Sequence, residues 1–232
     1  MRNGLANEWE KSYKNFDNFL FYPHEEVIRF VSKYIRKKVG FEKFINSKGY
    51  AKNSKILDIG CGIGRHMVFA HEMGLEPYGV DISNTAINFS KEWLNKKGFN
   101  TQDKHLMCGD IRKLKWEDSF FDYAISHGVL DSMSLNISID SCKEIARVLK
   151  KDSLFYCDLI SGDDSNHSKG FYGEEVVKTE HETNTIQLYF NTELIKKLFE
   201  PLFKIESCRL IKNNDVFTNH YHSRFHLILR KI

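Results

Sequence analysis

The sequence predicts an α/β fold, in which helices cover both faces of a mostly parallel sheet. The prediction depends on short apolar runs that alternate with helical patterns, and on a glycine turn that follows the first run. Five apolar runs are typical of buried strands, and they lie at 56–59, 77–80, 105–108, 120–126 and 154–160. Helical patterns lie between or after them, at about 64–74, 84–97, 139–150 and 192–200. Because crossover helices connect parallel neighbours, this alternation predicts a sheet between two layers of helices.

Two further regions flank this alternation. Before the first strand, the stretch PHEEVIRFVSKYIRKK opens with Pro23, contains two early glutamates and ends in basic residues, which is typical of a helix. We expect residues 1–54 to form a helical appendage on the active edge of the sheet. After the last helix, runs at about 204–211 and 223–231 leave little room between them, so they are expected to pair as a hairpin. The sheet would then have seven strands.

Composition argues against several classes of protein. A chain of 232 residues, 41% of them hydrophobic, can bury one large core. No apolar run reaches the roughly 18 residues of a membrane span, and the N-terminus lacks the apolar region of a signal peptide, so we expect a cytoplasmic protein. Its 34 basic and 31 acidic residues are scattered, unlike the basic stripe of a dedicated nucleic-acid binder. Five widely spaced cysteines without a C-x-x-C pair are expected to be small core residues.

The stretch KILDIGCGIGR places glycines at every second position directly after the first predicted strand. In open α/β sheets, ligands bind beyond the carboxyl ends of the strands, where glycines let backbone N–H groups approach them. Asp58, Asp81 and Asp110 lie in or at the ends of three consecutive predicted strands. Three carboxylates in one cleft repel one another unless a ligand satisfies them. S-adenosylmethionine offers a matching set of groups: an ammonium, two ribose hydroxyls and an aromatic amine.

These motifs resemble those of the class I S-adenosylmethionine-dependent methyltransferases of small-molecule type. LDIGCGIGR is similar to the first motif of that family, GVDIS to its ribose-binding motif, CGDI to its adenine-binding motif, and FDYAISHGVLD to its fourth strand and following loop. The resemblance implies a Rossmann-like sheet of seven strands in which the last strand is antiparallel. A nicotinamide dinucleotide site would require G-x-G-x-x-G, but Arg65 stands where the third glycine belongs.

The order of the predicted elements suggests a division of the chain, and the resemblance implies a set of cofactor contacts. We expect a single domain over 1–232, made of the appendage at 1–54, a cofactor-binding half at 55–160, an inserted arm or lid at 161–190, and a C-terminal helix and hairpin at 191–232. For the methionine part of the cofactor, the resemblance implies that Asp58 and the Gly60 backbone contact the amino group, that Cys61 and Gly62 line the turn, and that Arg65 contacts the carboxylate. For the nucleoside part, it implies that Asp81 binds the ribose, that Ile82 covers one adenine face, and that Asp110 and the Ile111 backbone N–H bind adenine. His127 is expected near the sulfonium. Tyr13 and Tyr22 are candidates for closing over the cofactor.

The acceptor side is less defined by the sequence. His127 is the first choice for a general base by its position, and Asp131 is the second. Equally, His127 could contribute only its backbone and one ring face to the cofactor. The runs at 175–179 and 185–190 are expected to form a hairpin arm, either a lid over the acceptor or a dimer contact. His220, His222 and His226 share parity on a predicted strand, but without a carboxylate pattern we expect no metal site.

The loop after the fourth strand contains no proline, and no proline precedes a cysteine, so the patterns typical of nucleic-acid base methylation are missing. The leading hypothesis is methyl transfer to oxygen or nitrogen of a small polar metabolite. YPHEEVIRFV loosely resembles methyltransferases of bacterial surface-sugar pathways. An RNA methyltransferase and a cofactor-binding regulator without turnover remain as alternatives. A monomer or a homodimer is expected.

Overall fold

The computed structural model describes residues 2–167, 170–178 and 185–232. Among these residues, no helix is long and apolar enough to cross a membrane. The helices are α1 (Arg2–Lys14), α2 (Glu25–Tyr34), α3 (Arg65–Glu72), α4 (Asn84–Lys96), α5 (Leu135–Val148) and α6 (Thr192–Phe199). The strands are β1 (Arg36–Lys38), β2 (Phe44–Asn46), β3 (Lys55–Ile59), β4 (Glu76–Asp81), β5 (Leu106–Cys108), β6 (Phe121–Ser126), β7 (Leu149–Ile160), β8 (Gly173–Val176), β9 (Ile186–Tyr189), β10 (Phe203–Asn214) and β11 (Tyr221–Lys231).

Seven strands form the central sheet in the order β10-β11-β7-β6-β3-β4-β5. The pairs from β5 to β7 are parallel, and β11 is antiparallel to both of its neighbours, so the predicted fold class and terminal hairpin are confirmed. The order reverses at β3, whose neighbours are β4 and β6. The carboxyl ends of those strands therefore open a crevice at which α/β proteins bind ligands.

Fully buried apolar side chains of the central strands and of the helices against them form the core, and they include Leu57, Tyr78, Phe121, Phe155 and Phe199. A side-chain cap marks the start of α4, one of the helices that position the site. The Ser83 hydroxyl accepts a hydrogen bond from the Ala86 N–H at 3.1 Å and caps α4. Cys61, Cys142 and Cys157 are buried as expected, whereas Cys108 and Cys208 are exposed.

The N-terminal region differs from the prediction. The helix expected over 23–38 ends at Tyr34, and its basic end forms β1, which pairs with β2 in a small antiparallel hairpin. The sequence pattern did not predict α1, because its apolar residues are few and weakly periodic. The segment after α1 docks on α4 through aromatic rings, with centroids 4.8 Å apart for Phe19 and Phe89 and 5.0 Å apart for Phe21 and Trp93.

The inserted segment contains the predicted hairpin. β8 and β9 pair in antiparallel fashion, while residues 179–184 between them lie outside the described part of the chain. The hairpin is tied to the loop after β6, since the Leu188 N–H donates to the Asp131 carbonyl at 2.7 Å and the Leu135 N–H donates to the Glu174 carboxylate at 2.8 Å. This arm therefore lies on the β6 side of the crevice.

Candidate active site

The glycine turn after β3 requires glycine for two reasons: its backbone conformation, and the close approach of side chains from other segments to its glycines. Gly60 has φ +63° and Gly62 has φ +53°, a region that side chains rarely adopt. A Cβ atom on Gly60 would lie 2.4 Å from a methyl carbon of Val129, and one on Gly62 would lie 2.5 Å from the Tyr13 hydroxyl oxygen. The two glycines therefore let the loop after β6 and the helix α1 reach the turn.

Asp58 in β3 carries a carboxylate oxygen that its surroundings leave unsatisfied. The residue is only 3% exposed, and its Oδ1 lies 3.7 Å from Nδ1 of His66. Its Oδ2 is buried and has no hydrogen-bond partner among the described residues. An unpaired buried carboxylate oxygen is costly, and an ammonium group would satisfy it. The residues present here therefore fit the amino group of the expected cofactor.

Asp81 closes β4 and binds backbone amides. Its two oxygens accept hydrogen bonds from the N–H groups of Gly62 and Ser83, each at 2.9 Å. Burial raises the pKa of Asp81 to about 6, with a further increase from Asp58, while the backbone hydrogen bonds act in the opposite direction. Each carboxylate oxygen retains a second lone pair, so both can still accept from ribose hydroxyls.

The carboxylate of Asp110, the expected ligand of the adenine amine, is already paired within the protein. Asp110, just after β5, accepts hydrogen bonds from Nε of Arg112 at 2.9 and 3.1 Å and from Nη2 of Arg112 at 2.5 Å, so an adenine amine would share its carboxylate with a guanidinium. Ile111 is buried, and Ile82 is half-buried between β4 and α4. The adenine contacts therefore remain predictions.

The two tyrosines of the N-terminal region differ in position. Tyr13 is placed over Gly62. Burial raises the pKa of its hydroxyl well above its ordinary value, and the negative charge of Asp81 is the second cause of this increase. The Tyr22 side chain is 83% exposed, and the contact that this residue makes with the site is its carbonyl oxygen, 3.4 Å from Nη1 of Arg65. This geometry favours Tyr13 over Tyr22. Cys61 is buried against Gly79, where it has a packing role.

His127 follows β6 and lies among polar groups from three other segments of the chain. Its Nδ1 is 3.3 Å from Nη2 of Arg65, and its Nε2 is 3.6 Å from Oδ2 of Asp158. The ring centroid of His24 is 4.1 Å away and that of His66 is 5.6 Å away. Burial lowers the pKa of His127 to about 3, although Asp158 opposes this shift, so the imidazole is neutral near pH 7.

Asp131 is a buried carboxylate with one paired oxygen, Oδ2, and one oxygen, Oδ1, that has no hydrogen-bond partner among the described residues. It is 1% exposed, and its Oδ2 accepts hydrogen bonds from the Ile160 N–H at 2.7 Å and from Nη2 of Arg224 at 2.6 Å. A group that exchanges a proton with an acceptor must reach it directly or through one water. Asp131 is a buried partner of Arg224, and its role as the second choice of base stays a prediction.

Several residues of the site were not predicted from the sequence. Asp158 lies near the carboxyl end of β7, so the rule that singled out the other acids could have found it. Arg224 carried no local signal, because it is brought to Asp158 by the pairing of β11 with β7. His226 also comes from β11 and contacts the Tyr156 hydroxyl at 2.9 Å, whereas His220 and His222 are exposed. In the part of the chain that the structure describes, no group of three or more histidine, cysteine, aspartate or glutamate side chains could hold a metal ion.

Comparison with known proteins agrees with this geometry. A family model described as a methyltransferase domain matches residues 51–215, a range that begins just before β3 and ends just after β10. The match includes the glycine turn, Asp58, Asp81 and the arm. It covers most of the chain.

Two curated relatives match over shorter segments. A sterol 4-C-methyltransferase of Caenorhabditis elegans is 34% identical over 116 residues, which are 49% of this chain and 34% of that protein. A demethylmenaquinone methyltransferase of Staphylococcus aureus is 27% identical over 151 residues, which are 63% of this chain and 55% of that protein. The chain thus spans between a third and a little over half of the length of these two relatives.

The fold also matches solved structures. The crystal structure of an S-adenosylmethionine-dependent methyltransferase from Methanosarcina mazei superposes with a TM-score of 0.62 and 23% identity, over 78% of this chain and 94% of that one. At this identity the likeness shows the fold, and the family model shows the family. The chain therefore belongs to the class I S-adenosylmethionine-dependent methyltransferases.

Proposed function

We propose that this protein transfers a methyl group from S-adenosylmethionine to an oxygen or nitrogen atom of a small polar acceptor. The observation that carries the proposal is the buried Oδ2 of Asp58, which lacks a partner among the described residues and lies next to the glycine turn. Family membership supports the reaction type. The relatives named for sterol and demethylmenaquinone methylation support a small-molecule acceptor.

Different residues around the crevice would bind different parts of the cofactor. Asp58 would take the ammonium, the backbone of the turn and Arg65 would take the carboxylate, and Asp81 would take the ribose hydroxyls. When bound, the cofactor supplies a methyl group on a positively charged sulfur, which is already activated for transfer. The protein then has to orient the acceptor and exclude water, a contribution of up to about 7–11 kcal/mol in well-oriented reactions.

His127 is the group that we propose as the base. It follows β6 beside the turn, it is neutral at pH 7 because burial lowers its pKa, and it is half-buried. A positioned base contributes roughly 10²–10⁴-fold when its pKa lies near the operating pH. Burial lowers the pKa of His127 to about 3, so the proposed role requires this pKa to rise in the complex. The β8–β9 arm, tied to the loop that contains Asp131, is proposed as the cover over the acceptor. The surface-sugar assignment stays a prediction.

Calorimetric titration with S-adenosylmethionine and S-adenosylhomocysteine tests the proposal. We expect Asp58→Asn to weaken binding about tenfold to a hundredfold, because a hydrogen bond to a charged group contributes ~1.5–3 kcal/mol. Asp118→Asn is the matched control, since its carboxylate is exposed and pairs with Arg147 far from the turn along the chain. Wild-type protein that is folded but binds neither compound would overturn the proposal.

The acceptor class needs a second measurement. Protein supplied with cofactor carrying a deuterated methyl group would be incubated with a metabolite extract and with total RNA, and mass spectrometry would locate the label. We expect label in small polar molecules, at oxygen or nitrogen. Label in RNA would overturn the small-molecule acceptor, and binding without any labelled product would overturn methyl transfer while leaving a cofactor-binding regulator.

A further inference from the structure

Asp158 is a fully buried carboxylate beside His127 that the proposed reaction has not yet used. Its Oδ1 accepts a hydrogen bond from the Gly128 N–H at 2.7 Å, and its Oδ2 accepts one from Nε of Arg224 at 2.8 Å. The same Oδ2 lies 3.6 Å from Nε2 of His127. The Gly128 contact fixes the carboxylate against the very loop that carries His127.

Arg224 joins two buried carboxylates. Its Nη2 donates to Asp131 at 2.6 Å while its Nε donates to Asp158, so one guanidinium faces two acids. Burial raises the pKa of Asp131. Burial would also raise the pKa of Asp158, but Arg224 and then His127 lower it, and the net shift is downward. Asp158 therefore remains ionised and presents its charge to His127.

The two ring nitrogens of His127 have different neighbours. Nδ1 faces a guanidinium nitrogen of Arg65, and a guanidinium can only donate, so Nδ1 is the accepting nitrogen. Nε2 is buried and, at 3.6 Å from Asp158, has no hydrogen bond within the described residues. Catalytic hydrogen bonds are often long in ligand-free proteins and shorten in the complex. The neighbours thus favour the tautomer in which the proton is on Nε2.

We propose that Asp158 is the positioning residue for His127: it holds the Nε2–H tautomer, leaves Nδ1 as the proton-accepting nitrogen, and stabilises the imidazolium. This inference rests on the proposed function, in which His127 is the base. His127 takes the proton that the acceptor oxygen or nitrogen loses as that atom gains the methyl group. The positive charge that leaves the sulfur then appears on the imidazolium, so atoms and charge balance.

The groups around His127 act in opposite directions: Asp158 favours the imidazolium, whereas Arg65, His24 and His66 oppose it. The titratable and charged groups that face it come from the segment before α2, from α3 and from β7, and they are His24, Arg65, His66 and Asp158. Asp158 is the anion of this set, and Arg224 and Asp131 lie behind it. Arg65 is expected to leave Nδ1 when it binds the cofactor carboxylate, which would free that nitrogen for the acceptor.

The experiment is ¹⁵N NMR of the histidine side chains in the full-length protein, with His127 assigned by the loss of its signals in His127→Gln. We expect the wild-type protein to show His127 with the proton on Nε2, and Asp158→Asn to shift it toward a mixture of tautomers. Glu76→Gln is the matched control, because Glu76 pairs with the buried His105 at 3.1 Å at the amino end of β4. It should change His105 and leave His127 as it is.

A merely structural role for Asp158 would lower the unfolding temperature without changing the tautomer. An Nδ1–H tautomer in the wild-type protein, or an unchanged tautomer in folded Asp158→Asn, would overturn the inference. If the Asn variant does not fold, Asp158→Glu keeps a charged partner for Arg224 but displaces the carboxylate, and the same shift is expected. The measurement needs no cofactor, so failure of the proposed function, seen as absent cofactor binding, remains distinguishable.

Discussion

The two halves of the crevice are built by different kinds of contact. On the cofactor side, Asp81 accepts from the backbone amides of Gly62 and Ser83, and all three lie within one β-α-β-α segment. On the acceptor side, Arg224 joins Asp131 and Asp158, and these residues come from β11, the loop after β6, and β7. The first half depends on local backbone geometry and the second on buried charges that only the complete sheet brings together.

This difference predicts that charge loss on the acceptor side destabilises the fold most. Arg224→Met would leave Asp131 and Asp158 buried without their cation, and we expect the free energy of unfolding to fall by about 3–5 kcal/mol. Arg112→Met removes the same group from a partly exposed pair with Asp110, and should cost less than about 1 kcal/mol. Chemical denaturation measures both, and equal losses would break the comparison.

On the cofactor side, the sensitive element is the backbone. Gly62→Ala places a side chain at φ +53° and within 2.5 Å of the Tyr13 hydroxyl, and we expect it to cost at least about 1–2 kcal/mol from the backbone conformation alone. Gly98→Ala is the control, because Gly98 has φ +86° but no neighbouring atom within 4 Å.

Denaturation of both variants in a Tyr13→Phe background separates strain from close approach. The Gly62→Ala variant should lose more unfolding free energy than the Gly98→Ala variant. The difference between the two losses should become smaller in the Tyr13→Phe background, where the Tyr13 hydroxyl is missing. Equal losses in both backgrounds would show that close approach to Tyr13 contributes nothing.

The smallest expected effect is a pH dependence of cofactor affinity. Since burial raises the pKa of Asp81 to about 6, its carboxylate becomes protonated as pH falls from 7.5 to 5 and accepts hydrogen bonds less well. We expect S-adenosylhomocysteine to bind roughly threefold to tenfold more weakly at pH 5 than at pH 7.5, because most of the group is then neutral. The raised pKa also means that this group lowers fold stability as pH rises from about 4 to 6. The Asp81→Asn variant should bind S-adenosylhomocysteine more weakly, and its affinity should change less with pH. An unchanged pH dependence in this variant would exclude Asp81 as the origin of the effect.

The same difference explains how much the sequence could predict. The fold class, the glycine turn and the strand-end acids Asp58 and Asp81 follow from alternation and spacing within one stretch. The Arg224 network could not be predicted, because the pairing of β11 with β7 creates it. The approach of His24 and His66 to His127 could not be predicted either, because it depends on how the segment before α2 and the helix α3 pack beside the loop after β6. The helix α1 was missed because tertiary packing on α4, and not its own periodicity, holds it in place.

The position of Tyr13 over Gly62 has a consequence for affinity. α1 is held to the start of α4 by Glu10, whose carboxylate accepts from the Ser83 hydroxyl at 2.7 Å, the Thr85 hydroxyl at 2.7 Å and the Thr85 N–H at 3.2 Å. A ligand atom placed where a Cβ on Gly62 would stand would lie 2.5 Å from the Tyr13 hydroxyl oxygen, so Tyr13 has to shift before such a ligand binds. The measured dissociation constant of such a ligand then equals the intrinsic constant of the open turn divided by the fraction of molecules in which Tyr13 has shifted. Glu10 anchors the helix that carries Tyr13, so we expect loss of its three hydrogen bonds to raise that fraction and, with it, the occupancy of the site at a given cofactor concentration.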